Sequence, residues 1–178
     1  LYRIVSRDEG ISSCMSHNSD HYGLDDDYHP LMAYEGSPDA ALALLWDESK
    51  GRHIARAIVT LDLHTSGEVA FYRSYGQVGS RNIFSGCGLS TSSDTSGMRL
   101  TKIDYEGDYL LPFVDGDTQH AREDRDWLVV DEEGDLECDH ASGRAQECGF
   151  YCNCCEDRCH GNFTYTTDGD VCESCIDY

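Results

Sequence analysis

Eight of the ten cysteines in this 178-residue chain fall between residues 138 and 175, and four of them stand as two pairs, Cys152–Cys155 and Cys172–Cys175, with sixteen residues between the pairs. Two thiolates three positions apart wrap one ion when the turn between them aims its backbone N–H groups at the sulfurs. Two such turns supply the four soft ligands of a tetrahedral structural zinc site. The stretch between the pairs, Gly161 to Asp170, reads as a small hairpin turning at Asp168-Gly169, with Phe163 and Tyr165 packed on the cluster. A secreted disulfide scaffold spreads its cysteines more evenly and lacks this pairing. The spacing therefore predicts one Zn2+ held by Cys152, Cys155, Cys172 and Cys175 in a reducing compartment. The competing reading is a set of buried or disulfide-bonded thiols. Cys138, His140, Cys148, Cys159 and His160 are candidate ligands for a second zinc ion, in a spacing that matches no regular motif, and Cys154 competes with Cys155 for the first.

The rest of the chain reads as strands. A short strand is expected at Tyr2–Ser6 and another at 31–36. Ser37-Pro38-Asp39 carries a helix-start pattern, but the apolar residues after it are too few for more than one turn at 38–41. A hairpin is expected with strands at 42–47 and 53–62, followed by a third strand, Val69 to Tyr75, in which Val69, Phe71, Arg73 and Tyr75 share one face. Residues 76–98, dense in Gly and Ser, read as a long loop. Further strands are expected at Arg99–Tyr105 and Tyr109–Asp115, where Pro112 suggests an edge or bulge. A second hairpin is expected from Trp127–Asp131 and Asp135–Cys138. The expected architecture is α+β, a mostly antiparallel β body over 1–136 with a small C-terminal zinc module over 137–178. A segment of that size draws rigidity from a metal that its own core cannot supply.

Charge narrows the function. The chain carries 34 Asp and Glu against 13 Lys and Arg, a net charge of −21. Residues 103–140 hold fourteen acids and two bases, Arg122 and Arg125. Such a surface repels nucleic acid, which argues against direct nucleic-acid binding. It is consistent with solvated surface charge, with a high-salt habitat, or with imitation of a phosphate backbone in the basic groove of a DNA-binding protein. Only Lys50 and Lys102 are lysines, a bias that a high-salt cytoplasm or a GC-rich genome produces. No run of about 18 apolar residues is present, so no membrane span is expected. The first residues carry no apolar signal region, so the chain is not expected to be secreted.

Three groups of residues are candidates for chemistry. Cys14 is the candidate nucleophile, near Asp20, His17, His21 and His29 in sequence; a cysteine enzyme needs a positioned histidine, and sequence proximity does not supply one. The simpler reading packs Cys14 beside Met15. Asp20, His21, Asp25, Asp26, Asp27 and His29 lack the ligand periodicity of a calcium loop and read as a solvated loop. Arg52 and Arg56, placed on one strand face, and Arg73 are either an anion site or partners of neighbouring acids. No phosphate-binding loop, dinucleotide fingerprint, Gly-x-Ser-x-Gly elbow or His-Glu-x-x-His is present.

The stretch Tyr151–Tyr178 resembles the zinc-ribbon or half-LIM modules of uncharacterised phage proteins: a Tyr-Cys-x-x-Cys, an aromatic hairpin, then Gly-Asp before the second pair. The body resembles phage- and prophage-encoded proteins without assigned function. The matching blocks are Ser13-Cys14-Met15, His29-Pro30 with Tyr34, ALALLWDESKGRHIARAIV, FYRSYG at 71–76, LPFVDG at 111–116 and WLVVDEEGDLECDHASG. The resemblance implies a viral origin and a β-rich body with a zinc tail, and no activity. A non-enzymatic protein that docks onto a host or virion protein, in the host cytoplasm or the virion, is the expectation that follows. A DNA mimic and a Cys14-dependent enzyme are the alternatives.

Overall fold

The computed structural model describes residues 15, 17–61, 69–92, 94–114, 116 and 120–148, and the backbone of 150–152, 157–159, 163–166 and 169–172. The chain divides into two compact units, 1–146 and 147–178. The expected strand at Tyr2–Ser6 lies outside the described residues.

The described part of the body has two 3-10 turns ahead of its first strand, Ser19–Tyr22 and Pro30–Tyr34. The second replaces the strand expected at 31–36. Pro30 sits at its first position, and the His29 ring accepts from the Leu31 N–H, so this dipeptide starts a helical turn. The Ser37 hydroxyl caps the Asp39 N–H, but the chain then enters a strand at Ala40 instead of a helical turn.

The first sheet contains β1 (Ala40–Asp47), β2 (Arg52–Leu61), β3 (Val69–Phe71) and β4 (Tyr75–Gly76). After the helix α1 (Ser80–Gly86), β5 (Ser90–Thr91) joins its far edge. The hairpin β1–β2 turns where the Asp47 carboxylate accepts from the Ser49 hydroxyl and N–H and the Lys50 N–H; the Ser49 hydroxyl first, then the Lys50 ammonium at 2.9 Å, lower its pKa to about 2. The expected antiparallel meander is present, with two register slips. Leu45 faces Ala55 and Trp46 faces His53, so Ile54 is an extra residue in β2. Val59 faces Phe71 but Arg56 faces Tyr75, so the third segment also gains a residue between them.

Each slip turns side chains to the opposite face. Arg52 faces Asp47 while Arg56 faces Leu44, three positions away on β1, so the two arginines lie on opposite faces. Phe71 and Tyr75 are likewise separated. The loop expected at 76–98 contains α1, whose Phe84 packs on Phe71 with ring centroids 5.5 Å apart.

The second sheet is built from β6 (Arg99–Thr101), then, after the small ribbon β7 (Asp104–Tyr105) and β8 (Asp108–Tyr109), from β9 (His120–Glu123), β10 (Trp127–Val130), β11 (Leu136–Asp139) and β12 (Arg144–Glu147), in the order β12-β11-β9-β10-β6. The hairpin expected from Trp127–Asp131 and Asp135–Cys138 does not form as such, because β9 lies between its arms. Ala121 faces Val130 on one side and Leu136 on the other. The connection crosses β9 at Ala121, and a Cβ on Gly134 would stand 2.3 Å from the Ala121 carbonyl carbon and oxygen. The strand expected at Tyr109–Asp115 ends at Tyr109. Beyond it the chain is held by single contacts, Leu110 N–H to Ile103 O and Leu111 N–H to Gly143 O, while Leu110, Leu111 and Val114 are buried.

Two cores result. The larger joins Met15, Leu31, Leu100, Leu110, Leu128 and Val130 with the face of the first sheet that carries Leu42 and Ile58. The smaller joins Ala55, Ala57, Val59, Phe71 and Phe84 on the other face. A buried Asp39 receives two bonds from the Arg99 guanidinium, 2.8 and 2.9 Å, and one from its backbone N–H, 3.0 Å, and so ties the start of β1 to β6. The body is thus a mostly β structure whose described residues include one short α-helix.

The tail unit contains β13 (Phe150–Cys152), β14 (Asp157–Cys159), β15 (Phe163–Thr166) and β16 (Gly169–Cys172), paired as two antiparallel hairpins. The hairpin expected between the cysteine pairs corresponds to β15–β16, but Thr166 faces Gly169, so Gly169 belongs to the strand and not to the turn expected at Asp168-Gly169.

Candidate functional site

The first candidate is the tail. Cys152 closes β13 opposite Asp157, so the connection 153–156, which carries Cys154 and Cys155, joins the two arms of one hairpin. Cys172 closes β16 opposite Phe163, and Cys175 follows three residues later. β13 and β16 are neighbours. Two of the four expected ligands therefore end adjacent strands, each at the point where its Cys-x-x-Cys begins. Cys154, Cys155 and Cys175 lie outside the described residues.

The candidates for a second ion have different surroundings. Cys138 and Leu136 alternate inward on β11 and pack against the larger core. Glu137 points the other way, where the His120 ring approaches it at 4.0 Å and the Gln146 amide donates at 3.2 Å. His140, past the end of β11, sets its ring edge-on to Phe113 at 5.4 Å. Cys148 is half-buried, Cys159 faces Phe150 in β13–β14, and His160 lies outside the described residues. Sequence reasoning did not connect His120 with Glu137. They meet only because β11 pairs with β9, and no local pattern reports that pairing.

Near the amino-terminal end, Cys14 lies outside the described residues, but the histidines near it in sequence are placed. His29 is buried; its Nδ1 accepts from the Leu31 N–H at 3.1 Å, so the neutral ring carries its proton on Nε2, which donates to the His17 carbonyl at 2.9 Å. Burial pushes its pKa below the ordinary histidine value, against a smaller opposing effect of the His17 carbonyl. Both nitrogens are spent on backbone, so this ring is a structural clamp and not a base. His17 and His21 are exposed and stack on each other at 3.9 Å. Asp20, Asp25, Asp26 and Asp27 are exposed.

The basic residues fall into distinct settings. Arg56 is half-buried, and that burial lowers its pKa. Arg73 is exposed, with its guanidinium 5.4 Å from the centre of the Tyr72 ring. Around the second sheet, Lys102 pairs with Glu123 at 2.8 Å, Arg122 with Asp131 at 2.8 Å, and Arg144 with Glu106 at 2.9 Å and Asp108 at 3.5 Å. Asp126, Glu132, Glu133 and Asp135, on the turns at either end of β10, are exposed and have no ion pair among the described residues. This leaves a carboxylate fringe that the local bases do not neutralise.

No family model matches the chain, and no curated protein or solved structure matches it. Among the described residues no helix is long and apolar enough to cross a membrane.

Proposed function

We propose that this chain is a non-enzymatic, zinc-stabilised docking protein of phage type, a virion component or host-directed factor that acts in the virion or host cytoplasm by binding another protein. The observation that carries the reading is the fringe of exposed carboxylates at both ends of β10, which favours a partner surface of opposite charge. In this reading Cys152, Cys155, Cys172 and Cys175 hold one Zn2+. The support is their spacing, their all-thiol chemistry, and the adjacency of the strands that end at Cys152 and Cys172. Cys138, His140, Cys148, Cys159 and His160 remain the candidates for a second ion. The same fringe favours a second reading, in which the carboxylates imitate a phosphate backbone and block a nucleic-acid-binding host protein.

Metal analysis of the purified full chain tests the first part: one or two zinc ions per chain are expected, and cysteines oxidised in pairs without metal would overturn it. Capture of partners from host lysate tests the second. A basic partner retained at low salt and released at high salt is expected. A partner whose binding ignores salt and survives neutralisation of Asp126, Glu132, Glu133 and Asp135 removes the carboxylate fringe from the mechanism. A captured partner that loses its nucleic acid when the chain binds selects the second reading.

A further inference from the structure

A strand at the rim of a sheet presents a row of unpaired backbone groups, and folded chains blunt such rims with short strands, charges or cover. Elsewhere in the two sheets that rule is followed. β4 and β5 have two residues each, β6 has three and carries Arg99, and β12 carries Arg144 and Glu147 and is bridged at Arg144 by Leu110. β1 departs from it. This strand is eight residues long, has no proline and no charge before Asp47, and among the described residues pairs only with β2. Its register says which backbone groups are open. The Leu61 N–H donates to the Asp39 carbonyl, so the odd positions of β1 exchange their bonds with β2. The even positions Leu42, Leu44 and Trp46 turn their N–H and C=O groups outward. Trp46 is also 54% exposed, and no other aromatic is found among the exposed large apolar side chains of the described residues.

We propose that the open edge of β1 pairs with the β1 edge of a second copy of this chain, so that the two first sheets join into one. Charge and symmetry both select this occupant. The hairpin 40–61 holds two of the 34 acids and three of the 13 Lys and Arg, so copies of an otherwise acidic chain repel each other least here. The strand is also its own complement. An antiparallel two-fold pairing through Leu44 sets Leu44 against the partner's Leu44, Leu42 against the partner's Trp46 and Ala41 against the partner's Asp47. Open backbone groups then meet open backbone groups, and no two acids face each other. Leu42, Leu44 and Trp46 share one face of the strand, so the same register lays the exposed indole over an apolar neighbour. The contact is separate from the carboxylate fringe of the second sheet, and it answers to salt in the opposite sense.

The test is sedimentation of the full chain over a concentration series, paired with amide hydrogen exchange read residue by residue. A monomer–dimer equilibrium that tightens as salt screens the net charge is expected. The amides of Leu42, Leu44 and Trp46 should slow as dimer forms, while those of Ala43 and Leu45 are slow throughout. Leu44→Lys and Trp46→Lys each place a charge on the contact and are expected to weaken dimerisation by about tenfold or more. Trp46 is exposed, so its variant keeps the fold even where Leu44→Lys loses it. A chain that stays monomeric up to about 1 mM overturns the proposal. So does a dimer that the Trp46 variant leaves intact, or one in which exchange at the three amides ignores concentration. Protection of those amides already in the monomer shows that the chain covers this edge itself, and also overturns it. A monomer that captures a host protein through the same edge, and releases it in Trp46→Lys, assigns the edge to a different partner and overturns the second copy.

Discussion

The two sheets of the body bury apolar surface to similar depth but treat charge in opposite ways. In the first, the hairpin β1–β2 packs one face against Phe71 and Phe84 and the other against the larger core, carries Arg52 and Arg56 on β2, and its outer strand runs from Ala40 to Trp46 without a charge. In the second, Ala121, Leu128 and Val130 face the core while the strand ends and turns carry Glu123, Asp126, Asp131, Glu132, Glu133 and Asp135. The sheets also differ in how neighbours are chosen. Successive strands pair in the β1–β2–β3 meander, whereas β10 and β11 are successive and stand on either side of β9. The acidity is thus concentrated on the sheet whose topology depends on a single crossing, and the electrostatic surface is only as well defined as that crossing.

The crossing can be tested through its glycine. Gly134→Ala would place a Cβ 2.3 Å from backbone atoms of Ala121, which cannot swing aside as a side chain can. A loss of about 3 kcal/mol or more in chemical denaturation is expected, from overpacking against a fixed strand. Gly51→Ala, in the hairpin of the first sheet, is the control. Its φ of +60° disfavours a side chain but nothing stands within 4 Å of the added carbon, so a loss of about 1 kcal/mol is expected. Equal losses at the two sites would mean that the crossing carries no special strain and that the contrast between the sheets is wrong.

The tie between the sheets comes next in size. Asp39 is buried, and the Arg99 guanidinium, above all by its hydrogen bonds, holds the Asp39 carboxyl below the ordinary carboxylate value. A depressed folded-state pKa means that the stabilisation is present above the unfolded value, near pH 4, and is lost as pH falls through the folded one. Asp39→Asn is expected to cost about 2 kcal/mol at neutral pH, since Arg99 is half-exposed and water replaces part of what it loses. Its stability should also fall less steeply than the parent's below about pH 4. An unchanged acid limb in urea melts across that range would remove this pair from the account.

What could be read in advance follows the same contrast. Two short apolar stretches on either side of the turn-like 48–52 were enough to place β1 and β2, because the two strands are adjacent in sequence and pair with each other. They could not place Arg52 and Arg56, because one extra residue at Ile54 inverts the face and leaves no mark on local composition. In the second sheet the apolar run Trp127–Val130 was legible as a strand, but its neighbour was not. Its pairing with β9 goes with a close approach of Gly134 to Ala121, a contact over thirteen positions in sequence. The candidate sites divide likewise. The cysteine pairs announce themselves by spacing, whereas His120 and Glu137, 4.0 Å apart, meet only through the pairing of β11 with β9.

The smallest expected effect on stability is also the one that separates surface charge from fold. Glu132, Glu133 and Asp135 sit together on the turn between β10 and β11, are exposed, and have no basic partner among the described residues. Replacing all three by their amides removes mutual repulsion and breaks no ion pair, so no loss of stability is expected, and a small gain at low salt that fades as salt is added. Asp131, one residue earlier, is different: the Glu133 N–H and Arg122 hold its carboxyl below its ordinary value, and it anchors the turn that carries the three acids. Asp131→Asn should therefore disturb the turn while the triple amide variant leaves it in place, a difference visible in the backbone signals of β11. If the triple variant instead unfolds the second sheet, the carboxylates are structural, and the proposal that they serve a partner fails with them.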